Sequence, residues 1–172
     1  MKIIVAMKEI KELSRKADDI RDKVSKNCAL LDYETPVYGQ DQRKTIDGWL
    51  QSYSDILKRI EFLRLAIQKT NLATEVEIEI GGNVVKKTIA AWIHRRKDLA
   101  KAEAALWRTL NDRGLKESKI KSSVPGQPDT EVKIVRYFDP VRRDDMVNIF
   151  AGEPTMIDSR LEVVNAVTDL VE

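Results

Sequence analysis

The amino-terminal stretch has apolar side chains at a regular spacing of three or four positions. These positions are Ile3, Met7, Ile10, Leu13, Ala17, Ile20, Val24, Cys28 and Leu31. This spacing places one narrow apolar stripe along a helix whose other faces are dense in lysine, arginine, aspartate and glutamate. Because a narrow stripe needs a partner, the pattern predicts a long first helix from Ile3 to Leu31 that packs against a neighbouring helix.

A second long helix is predicted from about Thr45 to Thr70, after a loop that contains Pro36 and Gly39. Its apolar stripe is wider than that of the first helix: Ile46, Trp49, Leu50, Tyr53, Ile56, Leu57, Ile60, Leu63 and Ile67. A wide stripe can contact two neighbours. We therefore expect the first two helices to pair antiparallel and a third helix to complete a bundle.

Residues 75–87 switch to period two, because valine and isoleucine alternate with glutamate at the start of this segment. The alternation predicts a strand with one buried face, and Gly81 and Gly82 supply the positive φ angles of a tight turn into a second strand. The three glutamates are not expected to bind a metal, since a straight strand points them in parallel and a cation needs converging ligands. We expect them to pair across the hairpin with Lys86 and Lys87.

After the hairpin, the sequence predicts a third helix from Thr88 to Gly114 and then two strands. The strands are Lys119–Lys121 and Val132–Phe138, separated by the turn-rich loop Val124–Asp129. Large apolar side chains occupy both faces of the second strand, although packing on a helix bundle needs only one buried face. We therefore predict a partner contact made by four side chains: Val132, Ile134, Tyr137 and Phe138.

The carboxyl-terminal part predicts a short helix from Pro140 to about Phe150, a break at Gly152 and a terminal helix that begins at Pro154. The apolar face of that terminal helix is Ile157, Leu161, Val164, Val167 and Val171. The predicted class is mainly α with a small β element: long antiparallel helices in a bundle, a β-hairpin between helices two and three, and a short strand pair before the C-terminal helices. We expect the bundle and hairpin over residues 1–114 and the strand segment and last helices over 115–172, packed as one continuous domain.

The charge balance and the length of the apolar runs narrow the classes of partner. Thirty basic and 28 acidic side chains leave a formal charge of +2, so no single-sign field recruits nucleic acid or an anionic membrane. No apolar run reaches the length of a transmembrane helix, and we expect a protein that is cytoplasmic when made. The single cysteine, Cys28, cannot form an intrachain disulfide and is expected to be a small buried hydrophobe.

The residues needed for common catalytic and cofactor sites are scarce. His94 is the only histidine and has cationic neighbours, and the sequence contains neither a P-loop nor a dinucleotide-binding glycine motif. We therefore predict no catalytic residue, no metal site and no cofactor. The basic groups His94–Lys97 and Val141–Arg143 could contact phosphate, but acidic residues follow each group, which favours solvated helix faces over nucleic-acid binding.

Several short motifs agree in order and spacing with one known family. They are Ile67–Thr74, Gly82, Thr88, Arg96, Leu99, Ser118–Lys121, Ile157–Asp158 and Asn165–Leu170. Through these motifs the chain resembles the septicolysin-like family, a group of small bacterial and phage proteins. The resemblance implies a long-helix bundle with a small β element, ring-like or other homo-oligomerisation, and no catalytic residue. The chain is longer than the family pattern around Val124 to Phe138 and near Phe150, where a specialised partner surface is expected.

Two Asn and Thr pairs at the same spacing mark predicted junctions between elements. Asn71 lies where the second helix must stop and tolerates the left-handed conformation, and Thr74 can bond free backbone groups at the start of the strand. Asn165 and Thr168 repeat this spacing. We interpret all four as structural residues, with ligand binding as the alternative.

The function that these observations favour is a non-enzymatic, self-associating structural or assembly protein. The preferred form is a phage virion component, such as a capsid decoration or cement protein, whose partners are its own copies and other protein subunits of a larger assembly. The alternative is a free bacterial cytosolic protein that acts as an oligomeric adaptor or a small-ligand binder. A nucleic-acid-binding protein would instead lose affinity steeply with salt.

Overall fold

The computed structural model describes residues 1–123, 126, 128 and 130–171. It is 65% helical with two small antiparallel strand pairs, which confirms the predicted class, mainly α with a small β element. The helices are α1 Ile3–Asn27, α2 Gln42–Ala73, α3 Ile89–His94, α4 Ala100–Arg108 and α5 Pro140–Val167. The strands are β1 Glu75–Ile80, β2 Asn83–Thr88, β3 Ser118–Ile120 and β4 Thr130–Val132. A π-helical segment, Arg95–Leu99, joins α3 to α4.

Helices α1 and α2 pack antiparallel, as predicted. Gln42 Nε2 donates a hydrogen bond to the Asn27 carbonyl oxygen (2.8 Å) where α1 ends and α2 begins, and Arg59 Nε pairs with Glu9 Oε1 (2.8 Å) further along. The buried stripe of α1 includes Ile3, Ala6 and Ala17. Met7, predicted to be in this stripe, is 51% exposed, because the small Ala6 side chain occupies the buried position. The expected burial of Cys28 is also wrong, since this residue follows the last turn of α1 and is exposed.

The chain ends are joined through backbone and charged groups. The Ile3 amide donates to the Thr168 carbonyl oxygen (3.0 Å), and the Leu170 amide donates to the Met1 carbonyl oxygen (2.7 Å). Lys2 Nζ lies 2.6 Å from Asp169 Oδ2. This hydrogen bond lowers the pKa of the Asp169 carboxyl.

The predicted hairpin at residues 75–87 is present as β1 and β2. Val76 and Ile78 of β1 are buried, while the glutamates between them are exposed, as the period-two pattern requires. Gly81 and Gly82 form the turn with φ angles of +57° and +80°. Any residue with a Cβ atom would be strained at either position, because L-residues rarely adopt a positive φ angle.

The second predicted strand is wrong over most of its length. Only Val132 is in β4, which pairs antiparallel with β3 in the register Ser118–Val132, Lys119–Glu131 and Ile120–Thr130. Residues 133–138 have no regular structure. Their β-branched and aromatic side chains suit a strand, but a strand also needs a paired edge and a buried face. Four residues of the predicted loop, Val124, Pro125, Gln127 and Asp129, lie outside the described residues.

The predicted break between two C-terminal helices is also wrong. Helix α5 runs from Pro140 to Val167 and includes both Gly152 and Pro154. Proline removes one helical donor, yet tertiary contacts can hold a helix through it. Here the preceding residue, Glu153, is buried and bound to an arginine. Of the predicted apolar face, Ile157, Leu161 and Val164 are buried, whereas Val167 and Val171 are exposed.

The residues group into two compact units. The first comprises Met1–Val76, Thr88–Ala90 and Arg160–Glu172, and the second comprises Glu77–Lys87 and Ala91–Ser159. The predicted division after residue 114 within one continuous domain stays a prediction.

Candidate functional site

Helix α2 has two apolar faces, and only one of them is covered. Its buried residues are Ile60, Leu63, Ala66 and Thr70. Its other face has four leucines, Leu50, Leu57, Leu65 and Leu72, which remain 46–67% exposed in the folded chain. At about 100° per residue, the four leucines lie within about 80° of one another, on the side turned away from most of the buried face. We call these four residues the leucine seam.

A groove of about 560 Å³ runs beside the leucine seam. It is lined by Leu57, Ile60, Glu61, Arg64, Leu65, Ile67 and Gln68. Glu61 and Arg64 have opposite charges, and within the described part of the chain neither side chain forms an ion pair or a hydrogen bond. The groove therefore combines apolar surface with charges that are available to a partner.

The predicted partner residues lie in one segment of the second unit. Tyr137 is 97% exposed, and Val132 is also exposed, whereas Ile134 and Phe138 are half-buried. The Phe138 ring packs under the Arg143 guanidinium, whose carbon lies 5.6 Å from the ring centroid. The segment therefore presents one fully exposed aromatic side chain next to a half-buried one.

Arginines on both sides of Tyr137 bind the stretch Leu110–Asp112 through their side chains. Arg136 donates two hydrogen bonds to the Asp112 carboxylate, both 2.7 Å long. These bonds lower the pKa of Asp112. On the other side, Arg143 Nη1 donates to the Leu110 carbonyl oxygen (3.0 Å). Tyr137 thus lies between two side chains that bind the Leu110–Asp112 stretch, in a segment that is not a strand.

The predicted junction residues have different roles. Thr74 ends α2: its amide donates to the Thr70 carbonyl oxygen, and its own carbonyl accepts from the Ile89 amide, both at 2.9 Å. Thr168 likewise donates to the Val164 carbonyl oxygen (2.9 Å). Asn71 was expected to stop the helix, but α2 continues through it to Ala73 with helical backbone.

The side chains of the two asparagines contribute less to the junctions than predicted. Asn71 Oδ1 is buried and accepts no hydrogen bond from the described residues. Asn165 lies half-buried within α5. The side chain that joins elements is Thr70, which is fully buried: its Oγ1 donates to the Ala66 carbonyl oxygen (2.8 Å) and accepts from the Val171 amide (2.9 Å).

Of the two turn glycines, Gly81 is held by packing as well as by its φ angle. A Cβ atom on Gly81 would lie 3.1 Å from Ile149 Cδ1 and 3.3 Å from Ile149 Cγ2. A Cβ atom on Gly82 would meet no atom of the described chain within 4 Å. The two positions therefore differ in the space around them.

A partly buried ion cluster that the sequence did not indicate lies in the second unit. Arg95 Nε and Nη2 donate to the two carboxylate oxygens of Glu153, at 2.6 and 2.9 Å. Arg95 Nη1 and Nη2 donate to the two oxygens of Glu103, at 2.7 and 2.8 Å. One guanidinium thus binds two carboxylates in bidentate geometry, and Glu153 is only 1% exposed. We call Arg95, Glu103 and Glu153 the Arg95 cluster.

Arg95 and Glu153 of this cluster line a cavity of about 320 Å³. Trp92 and Phe150 supply aromatic walls, and Lys87 Nζ lies 5.3 Å from the Trp92 ring centroid. The hydrogen bonds from Arg95, with a smaller effect of Lys87, lower the pKa of Glu103, and the same hydrogen bonds raise the pKa of Arg95. Because four of the five guanidinium N–H groups already bind carboxylate, the cluster acts as a structural cross-link rather than an anion receptor.

The prediction of a solvated helix face for His94–Lys97 is therefore only partly right. His94 and Lys97 are exposed, as expected. Arg95 instead binds Glu103 and Glu153, and Arg96 pairs with Asp158 at 2.6 Å. The π-helical segment that starts at Arg95 changes the helical period locally, and a regular 3.6-residue pattern could not reveal this. No group of residues suited to a metal ion occurs among the residues that the structure describes.

Among the described helices, none combines the length and apolar character needed to cross a bilayer. Comparisons of this chain with protein-family models, with curated proteins and with solved structures find no match. The resemblance to the septicolysin-like family accordingly stays a prediction that rests on the short motifs given above.

Proposed function

We propose that this protein is a non-enzymatic structural subunit that associates with its own copies and joins a larger assembly. The leucine seam is the observation that supports this function most strongly. A single exposed leucine is ordinary, but four leucines aligned on one face along about six helical turns form a continuous apolar surface. Burial of this surface stabilises association by roughly 25 cal/mol per Å² of apolar area, before the costs of binding are subtracted.

The segment around Tyr137 supports a contact with a different partner. Aromatic residues are frequent among the side chains that dominate binding energy at interfaces. The side chains of Arg136 and Arg143 bind Asp112 and the Leu110 carbonyl on either side of Tyr137, which reduces the backbone entropy that a contact at Tyr137 would cost. We propose another protein subunit of the assembly as the occupant of this surface.

The preferred form of the proposal is a phage virion component such as a capsid decoration or cement protein. Such a protein needs one surface for its own copies and another for a different subunit, and the leucine seam and Tyr137 lie in different compact units. The motif resemblance to the septicolysin-like family adds homo-oligomerisation and an occurrence in phages. In this form the protein is made in the cytoplasm and later incorporated into the particle.

Light scattering coupled to gel filtration tests self-association. The expected result is a mass that rises above the 19.7 kDa of one chain as the protein concentration is raised from about 1 to about 100 μM. A constant mass of one chain over this range would contradict self-association in free solution. A density gradient of lysate from the source cells tests the virion form, which requires the protein to sediment with particles.

Small-ligand binding is a second candidate, favoured by the cavity next to the Arg95 cluster. Its volume of about 320 Å³ is at the lower end of the range for ligand sites, and its lining combines aromatic and charged side chains. Trp92 lines this cavity, so a ligand should change tryptophan fluorescence in the parent protein. The matched control is Trp92→Phe, in which a change caused by cavity binding should disappear.

A further inference from the structure

The exposed face of α2 has the same pattern of residue types in both directions from Glu61. The positions on this face pair off around Glu61 at four, seven and eleven residues: Leu57 with Leu65, Ser54 with Gln68, and Leu50 with Leu72. Leucine is paired with leucine, and a polar residue with a polar residue. All seven positions are exposed in the folded chain.

This symmetry is the one that an antiparallel pair of identical helices requires. In a two-fold interface, when residue i of one copy contacts residue j of the other, j also contacts i. With the axis beside Glu61, Leu57 meets Leu65 of the second copy and Leu50 meets Leu72. An unrelated partner gives no reason for a surface to be symmetric about one of its own residues.

The charges near the centre are complementary in the same arrangement. The two Glu61 carboxylates approach each other at the axis and repel. Lys58 and Arg64 lie three residues on either side of Glu61, which is about 4.5 Å along the helix. Each Glu61 therefore comes close to Lys58 and Arg64 of the second copy, so four cations surround two carboxylates.

The repeat length allows contact along the whole seam. Leu50, Glu61 and Leu72 are eleven residues apart, and an eleven-residue repeat has about 3.67 residues per turn, close to the straight α-helix. The seam spans about 33 Å, and the two faces drift little over that length. Antiparallel alignment also sets the two helix dipoles in opposite directions.

We propose that the leucine seam binds the leucine seam of a second copy of this chain, antiparallel and about a two-fold axis beside Glu61. The pairing rests on the self-association proposed above, and it specifies the surface and the register.

Cysteine cross-linking tests the register. Cys28 is the only cysteine, so Cys28→Ser provides a background without thiols. In that background, Glu61→Cys should cross-link to itself with a short bifunctional maleimide, about tenfold more than Ser52→Cys, an exposed α2 position on the far side from the seam. Leu57→Cys and Leu65→Cys should each cross-link weakly alone but strongly when mixed, because each residue faces the other across the axis.

Four outcomes would overturn the pairing. Equal cross-linking of Ser52→Cys and Glu61→Cys would show that the seam is not the contact. Strong cross-linking of Leu57→Cys with itself would indicate parallel helices. A multimer by light scattering without any of the expected cross-links would refute this pairing and leave self-association standing, whereas a monomer without cross-links would refute both.

Two charge variants test the energetics independently of cross-linking. Leu57→Glu introduces a charge into the apolar contact and should weaken association at least about tenfold, while the control Ser52→Glu, at an exposed position on the far side of α2 from the seam, should change it less than about twofold. Glu61→Lys replaces the two carboxylates with two more cations, so that six cations meet near the axis, and should weaken association. All three positions are exposed, so circular dichroism should show unchanged helicity. Equal weakening by Leu57→Glu and Ser52→Glu would overturn the pairing.

Discussion

The two hairpins use similar strand-forming residues, but they depend on the rest of the molecule to different degrees. In the first hairpin, Val76 and Ile78 of β1 are buried and alternate with exposed glutamates. In the second, all residues of β3 and β4 are exposed, and each strand has three residues. The first hairpin is therefore part of a core, and the second is a surface feature.

The difference indicates that a stable hairpin needs both a short connecting loop and an apolar face that becomes buried. Gly81 and Gly82 close the first hairpin with two residues in positive φ, whereas nine residues separate β3 from β4. A longer loop costs more entropy to close, and the exposed pairs of the second hairpin gain little burial in return. The predictions below compare changes at or beside the first hairpin with changes near the second, or compare two positions within one of these regions.

The largest effect is expected at the Arg95 cluster, which shares its cavity with the first hairpin. Arg95→Met should lower the free energy of unfolding by about 4 kcal/mol, because the buried Glu153 carboxylate loses its cation. The control is Lys119→Met, which removes an exposed cross-strand pair with Glu131 and should cost less than about 0.5 kcal/mol. Urea denaturation measures both. Similar small losses would mean that the cluster does not stabilise the fold.

The next effect concerns one isoleucine in each hairpin. Ile78→Ala should cost about 3 kcal/mol, since it removes buried methyl groups and leaves a cavity. Ile120→Ala, in exposed β3, should stay within about 0.5 kcal/mol of the parent. Thermal unfolding followed by circular dichroism would measure the difference. If the two variants melt together, the burial assigned to β1 is wrong.

The third comparison lies within the turn of the first hairpin. Gly81→Val should cost about 2 to 3 kcal/mol, because valine would be strained at positive φ and its Cβ would press on Ile149. Gly82→Val has the same φ strain but open space, and about 1 to 2 kcal/mol is expected. Chemical denaturation should rank the two variants. A larger loss at Gly82 would contradict the packing around Gly81.

Lowering the pH should reduce the stability contributed by the Arg95 cluster more than that contributed by the second hairpin. The pKa of Glu103 is lowered in the folded protein by its hydrogen bonds to Arg95, so its contribution to stability is full above the unfolded pKa and is lost as pH falls through the folded pKa. Glu103→Gln should therefore flatten the fall in stability between about pH 5 and about pH 3, whereas Glu131→Gln should leave the slope close to that of the parent. Denaturation midpoints across this range measure the slopes. Parallel curves for the parent and Glu103→Gln would rule out the ion pair as a source of stability.

The elements that the sequence predicted well are those in which one local pattern determines the structure. The spacing of apolar residues gave α1 and α2 to within a few residues at most ends, and alternation with two glycines gave the first hairpin. The failures come from contacts between distant residues. Nothing local distinguishes Pro154 from a helix start, yet Glu153 binds Arg95, 58 positions away, and α5 continues.

The two candidate contact surfaces, the leucine seam and the segment around Tyr137, are likewise predictable only in part from local sequence patterns. Tyr137 is predicted as a contact from its residue type and is exposed, but residues 133–138 of the strand expected to display it pair with no described strand, and only Ile134 and Phe138 among them are half-buried. The sequence predicts one wide stripe on α2 that contains Leu50 and Leu57, but it does not separate these two leucines from the buried residues or join them with Leu65 and Leu72 in a second face. That separation depends on which side of α2 its neighbours cover, and periodicity alone does not contain this information.

The smallest effect on stability is expected in the segment next to the second hairpin. Val135 and Tyr137 are among its most exposed residues, so the double variant Val135→Ser and Tyr137→Ser should change the free energy of unfolding by less than about 0.5 kcal/mol and leave helicity unchanged. Ile134→Ser and Phe138→Ser replace half-buried groups and should cost more, about 1 kcal/mol each. If the segment is a contact surface, the double variant should also lose its position among particles in a density gradient while keeping the oligomeric mass of the parent. A stability loss above about 2 kcal/mol in the double variant would place these side chains in the chain's own core, and the second contact surface would then have to lie elsewhere.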